Sequence, residues 1–247
     1  MRSTAILIAP ALFALGFGQA MAGNYTVGVE ANDYLPIYKG EGGNYTGYAR
    51  DLLDAFAAKQ GHQFSYKPMP IARLFDEFAV KKSLDFKFPD NAMWQADIKK
   101  GAHISYSMGA ISVTEGLLVL PANKGKSLTT FKSIATLRGF TPWPYMAQIK
   151  SKAITVSEAN TADAAIKMGT SGRVDGVFLN TTSANYIMGE VLKTPGALVL
   201  DDKLPKEKSE FSLSSIAHPE VIKQFNEFLT KEKDMVSKLK AKHRIAE

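Results

Sequence analysis

Only two tryptophans occur in the 247 residues, Trp94 and Trp143, and both lie in polar or proline-bounded stretches. The first is Asp90-Asn91-Ala92-Met93-Trp94, the second Thr141-Pro142-Trp143-Pro144-Tyr145. An indole held this way presents a flat face beside amide and hydroxyl groups. That chemistry suits capture of a small, flat or polar molecule better than a densely charged one. Tyr34, Tyr48, Arg73, Asp90, Asn91, Trp94, Tyr106, Trp143, Tyr145 and Asn180 form the candidate binding set. Arg73 could hold an organic acid, and the indole rings could hold a cation; both options stay open at this level. Each residue also has a plainer role. Arg73 could pair with Asp76 or Glu77 on its own helix, Asn180 could cap a helix beginning at Ser183, and Tyr106 alternates with Ile104 as a packing residue would. Asp85 and Asp175 read as turn residues.

Several chemistries are excluded. The chain has no cysteine, which removes disulfide frameworks, thiolate-ligated metals and thiol nucleophiles. Its four histidines, His62, His103, His218 and His243, are scattered without ligand spacing, so no metal site and no cofactor is expected. There is no G-x-S-x-G, and the run Gly40-Glu41-Gly42-Gly43 lacks the Lys-Ser/Thr of a phosphate loop. An enzyme would need a converging acid–base pair, for which only Asp33, Asp90 and Glu115 offer carboxylates near the candidate set. A hydrophobic fraction of 45% with 22% charged residues is that of a globular chain. The net charge of +6 is small, and much of it falls in the final helix, at Lys231, Lys233, Lys238, Lys240, Lys242 and Arg244. A solvated helix face explains it without a nucleic-acid partner.

Residues 1–22 read as a secretory leader: Arg2, then an apolar core over 5–17, then Ala20-Met21-Ala22 as a small-residue cleavage site. The apolar core is shorter than the roughly 20 residues a membrane span requires. Export to a bacterial periplasm, with cleavage after Ala22, is expected.

Beyond the leader, short apolar strands alternate with amphipathic helices. Residues 25–30 alternate as a strand; residues 50–60 stripe Leu52, Leu53, Phe56 and Ala57 before Gly61 ends the helix. Strands at 64–67 and 84–88 bracket a helix over 71–81. The rhythm repeats with strands near 139–141, 154–156, 174–179 and 197–200, and helices near 144–150, 162–170 and 183–192. A single long helix is expected over 219–242. Alternation of this kind predicts parallel sheets with helices on their faces. Two such units predict two lobes, the first from 23–118 and 210–247, the second from 119–209. In open α/β sheets ligands sit beyond the carboxyl ends of strands, which is where the candidate set clusters.

An ordered series of segments then resembles the type II periplasmic solute-binding proteins, in the group called bacterial extracellular solute-binding family three. Tyr45-Thr46-Gly47-Tyr48 running into Asp51-Leu52-Leu53 resembles the opening of that family's first helix. Ser83-Leu84-Asp85, Ile104-Ser105-Tyr106-Ser107 and Gly116-Leu117-Leu118-Val119 resemble its later first-lobe markers. Leu137-Arg138-Gly139 and Gly172-Arg173-Val174-Asp175-Gly176-Val177 resemble those of its second lobe. The resemblance implies a two-lobe Venus-flytrap fold with its ligand in the cleft between the lobes. It also implies a monomer without cofactor or catalytic residues, handing a small molecule to an inner-membrane permease or presenting it to a sensor; a dehydratase or hydrolase on the same scaffold is the alternative. One departure matters. The interval 89–100 holds no arginine where amino-acid binders place their carboxylate clamp, only Lys99 and Lys100, and Asn180 stands where those proteins tend to carry an ammonium-binding Asp. An ordinary α-amino acid is therefore not the first expectation.

Overall fold

The computed structural model describes residues 22–245, so the expected leader lies outside the described residues except for Ala22. The chain opens with β1 (Asn24–Glu30), then a small antiparallel sheet of β2 (Asp33–Tyr34), β3 (Tyr38–Glu41) and β4 (Asn44–Thr46). These three strands are too short to register as an alternating pattern, which is why the sequence reads them as loop. Helix α1 (Tyr48–Gln60) buries Leu52, Leu53, Phe56 and Ala57 and stops at Gly61, whose φ of 74° closes the last turn in the left-handed region that glycine tolerates. Strand β5 (Gln63–Met69) follows, and α2 (Ile71–Phe75) widens into a π turn over Asp76–Val80. Then come β6 (Phe86–Asp90), the single turn α3 (Ala96–Lys99), and β7 (Ser105–Tyr106). Strand β1 lies between β5 and β6, parallel to both, which is the sheet the alternation predicts.

The second unit is built the same way. After the long strand β8 (Ile111–Val119), β9 (Ser133–Leu137) pairs in parallel with β10 (Thr155–Ala159) and with β11 (Gly176–Asn180). Helices α4 (Met146–Lys150) and α5 (Ala162–Thr170) connect them, and α6 (Thr181–Tyr186), prolonged by a π turn at Ile187–Val191, follows β11. Strand β12 (Val199–Leu200) adds to the other side of β8.

Strand β13 (Lys206–Ser215) joins the two units. Its first half, Lys206 to Phe211, runs antiparallel to β8 within the second sheet. Its second half crosses into the first sheet, where Ser212 opposes Asp90 and Ser214 opposes Lys87 and Tyr106, with an irregular register between Ser212 and Ser214. β8 and β13 therefore lie side by side as the two strands that pass between lobes. The junctions expected at 118/119 and 209/210 fall near the end of β8 and inside β13. The chain closes with α7 (Pro219–Lys231) and α8 (Lys233–Lys242). They return to the first lobe, where the Phe225 ring meets Phe56 edge-on at 5.0 Å. Among the described residues, no helix is long and apolar enough to cross a membrane.

Two element expectations are corrected. The strand near 139–141 is a turn: the buried run Ile134, Ala135, Thr136, Leu137 forms the strand instead, and Gly139 at φ 84° leaves the ladder. The single helix over 219–242 is two, because Glu232 sits outside the helical region (φ −105°, ψ 34°) and its carboxylate reaches Lys59 at 2.8 Å.

Candidate functional site

The strand ends deliver the polar groups. β1 ends on Glu30, β6 on Asp90 and β11 on Asn180, all three buried, and the crossing strand β8 contributes buried Glu115. These ends frame a cleft of about 540 Å³ counted to its open mouth. From the first lobe it is lined by Glu30, Tyr38, Ile71, Phe75, Trp94 and Gln95. Phe140, Thr141, Trp143 and Phe178 line it from the second, and Glu115 and Phe211 from the crossing strands. Trp94 and Trp143 also share the outer mouth with Asn91, Met93, Glu207, Lys208 and Ser209. Trp94 is steadied edge-on against Phe211 at 5.3 Å, whereas Trp143 keeps 46% of its surface exposed.

The acids on this floor are unusual. Glu115 stands directly opposite Glu207 on the β8–β13 ladder, a position where like charges repel. Burial first, then the neighbouring Glu207 and more distant Glu30, push the Glu115 carboxyl up to about 8, so it holds a proton at neutral pH. Glu207 is itself raised by burial, with the hydrogen bond from Glu115 opposing. Glu30 is raised by burial, against the pull of Lys87 and of the Tyr38 hydroxyl, which donates to it at 2.5 Å. Behind the cleft, Lys87 Nζ donates to Pro89 O at 2.5 Å, lies 3.4 Å from Asp90 and sits 4.2 Å above the Phe75 ring. Lys99 Nζ donates to Asn91 O at 2.6 Å and lies 3.3 Å from the same Asp90. Its ammonium is pulled down by burial and held up by Asp90. Asp90 is held further by the Ser214 hydroxyl at 2.7 Å.

The residues expected from sequence divide three ways. Trp94 and Trp143 line the cleft, Asn91 lies at its outer mouth, and Asp90 lies behind it, binding the two lysines. Tyr34 and Asn180 join the lobes: Asn180 N donates to the Tyr34 hydroxyl at 2.9 Å, and the Ser183 hydroxyl donates to Tyr34 O at 2.9 Å. The Asn180 side chain caps α6 by accepting from Ser183 N at 2.7 Å. The others are spent elsewhere. Tyr48 donates to Ala110 O and Tyr145 to Pro205 O, both from the core. Tyr106 lies under Lys99, and Arg73 points to solvent beside Glu77, 3.6 Å away. Absent from the expected set are Glu30, Tyr38, Phe75, Glu115, Phe140 and Phe178. Of these, Glu115 stands out in the sequence only as one of three carboxylates near the candidate set.

No protein-family model and no curated protein matches the chain. Solved structures match at low identity over nearly all of it. An ancestral arginine-binding protein bound to arginine is 19% identical, with a TM-score of 0.70 over 90% of this chain and 99% of that one. The arginine-, lysine-, histidine-binding protein ArtJ from Geobacillus stearothermophilus is 19% identical, with a TM-score of 0.68 over 89% and 94%. An ancestral amino-acid-binding protein described as a precursor of cyclohexadienyl dehydratase is 20% identical, with a TM-score of 0.68 over 90% and 95%. The chain thus has the two-lobe, type II periplasmic binding protein fold, as the sequence resemblance implies.

Proposed function

We propose that this chain is a non-catalytic solute-binding protein, exported to the periplasm, that traps a small metabolite between its lobes and delivers it to an inner-membrane permease. The observation that carries this reading is the single opening lined by Trp94 of one lobe and Trp143 of the other. A guest between the two rings touches both lobes, so its binding energy favours the closed arrangement. Micromolar capture needs about 8 kcal/mol, within reach of two ring faces and a few hydrogen bonds in a dry cleft. Proteins of the same fold whose names record amino-acid binding support the reading. A thermal-shift panel of amino acids, organic acids, amines, sugars and nucleobases tests it: a cognate ligand at 100 times its Kd adds about 2.7 kcal/mol of stability. If no class shifts the transition, the capture reading fails.

The proton-bearing Glu115 favours one second reading, an enzyme using that carboxyl as general acid on the same scaffold. Recovery of the ligand unchanged after long incubation, followed by NMR, separates the two. Steady conversion of the ligand replaces capture with catalysis.

A further inference from the structure

The cleft is aromatic on its walls and acidic on its floor. Tyr38, Phe75, Trp94, Phe140 and Trp143 supply ring faces, while Glu30 and Glu115 are the charged-type side chains among its lining residues. Among the described residues, no lysine, arginine or histidine lines it. Lys87 and Lys99 lie behind the wall, bonded to Pro89 O, Asn91 O and Asp90. The Lys87 ammonium is 4.2 Å from the Phe75 ring and 5.7 Å from the Trp94 ring, which leaves the Trp143 side of the opening for a guest cation. Arg73, the side chain that would hold an organic acid, is on the outer surface. Resting on the capture reading, we infer that the captured solute is an organic cation without a carboxylate, its ammonium or guanidinium group set against Glu115 and its carbon frame between the Trp94 and Trp143 rings. Aromatic faces attract a desolvated cation, and the acid supplies its counter-charge. Among the described residues no three acid or imidazole groups gather to hold a metal ion, and ring faces suit a cation that carries a carbon frame.

The groups facing Glu115 make this a proton exchange. Glu207 approaches from β13, Glu30 from β1 and the Tyr34 ring from β2; Lys208 lies farther out, at the mouth. Burial and the facing Glu207 keep a proton on Glu115. An arriving ammonium group displaces that proton. The Glu115 O–H bond breaks, the proton leaves to buffer, and the carboxylate pairs with the guest. Affinity therefore rises with pH by up to about tenfold per unit below pH 8 and levels above it.

Isothermal titration calorimetry on the processed chain tests this with agmatine and arginine, which share a cationic head but differ in the carboxylate, and with phenethylamine against phenylacetate. Repeating each titration in buffers of different ionisation heat counts the protons released. The inference expects agmatine to bind at least tenfold more tightly than arginine, phenethylamine to outbind phenylacetate, and close to one proton to be released at pH 7. Glu115→Gln, which imitates the protonated acid and so keeps the fold, should abolish the proton release and the pH slope. Tighter binding of arginine or phenylacetate overturns the cation assignment while leaving capture intact, and binding of the amines without proton release overturns the pairing with Glu115. Silence from all four probes, where the broader panel yields a neutral or anionic ligand, also overturns it. Silence from every class removes capture as well.

Discussion

Lys87 has no exposed surface, and its ammonium group is balanced by one carboxylate that it shares with Lys99. Two buried ammonium groups thus share the single Asp90, and Glu30, the other acid that Lys87 feels, has its carboxyl raised by burial. Asp90→Asn should therefore cost about 3–5 kcal/mol in chemical denaturation, the penalty for stranding buried charge. A loss below 1 kcal/mol would mean that the lysines find other partners. Glu115 carries the opposite problem. Its folded-state pKa near 8 lies above the ordinary carboxylate value of 4.5, so the native state keeps a proton that the unfolded chain has already lost. Stability consequently falls as pH rises from about 4.5 to about 8 and is level beyond. Melting curves across that window should slope downward for the natural chain and less steeply for Glu115→Gln, which should be the more stable of the two at pH 8. Identical slopes would show that Glu115 is ionised in the folded chain.

At the level of elements, α5 was legible to the residue. Thr161 accepts from Ala164 N at 3.4 Å and Asp163 lies in the first turn, both readable as a helix start. Helix α1 was readable from its stripe and from Gly61. The β9 strand was not, because its five residues are almost continuously buried and show no alternation. The split between α7 and α8 depends on one residue, Glu232, in a region whose apolar spacing continues on either side. Within the site, Trp94 and Trp143 were legible because large rings in polar segments need a partner. Tyr48 and Tyr145 looked the same in sequence, yet their hydroxyls find Ala110 O and Pro205 O once the chain folds. Backbone acceptors from distant segments leave no mark in a sequence. The cap on α6 is checkable: Asn180→Ala should lower stability by about 1 kcal/mol with little change in ligand affinity. A loss of affinity without a loss of stability would return Asn180 to the binding set.

On the scale of the whole molecule, two strands, one tyrosine and one ion pair hold the lobes together. β8 and β13 carry the chain between sheets, and Tyr34 reaches from the first lobe to Asn180 and Ser183 of the second. The Arg244–Glu190 ion pair ties the C-terminal end to the π turn after α6 on the far side. Tyr34→Phe leaves Asn180 N buried without its acceptor, at a cost near 1 kcal/mol borne by the closed arrangement. Small-angle scattering should then show a larger unliganded radius, with apparent affinity reduced by about fivefold to tenfold. An unchanged radius would assign closure to other contacts. Because both tryptophans line the opening and the chain has no others, tryptophan emission, excited selectively over tyrosine, reports on the cleft. Titrating a ligand from the panel into Trp94→Phe and Trp143→Phe, each left with one indole, addresses the two-sided grip directly. Both remaining indoles should respond along a single binding curve, and each substitution should weaken affinity several-fold. A response from one indole only, with the other lobe indifferent to its loss, would contradict capture between the lobes.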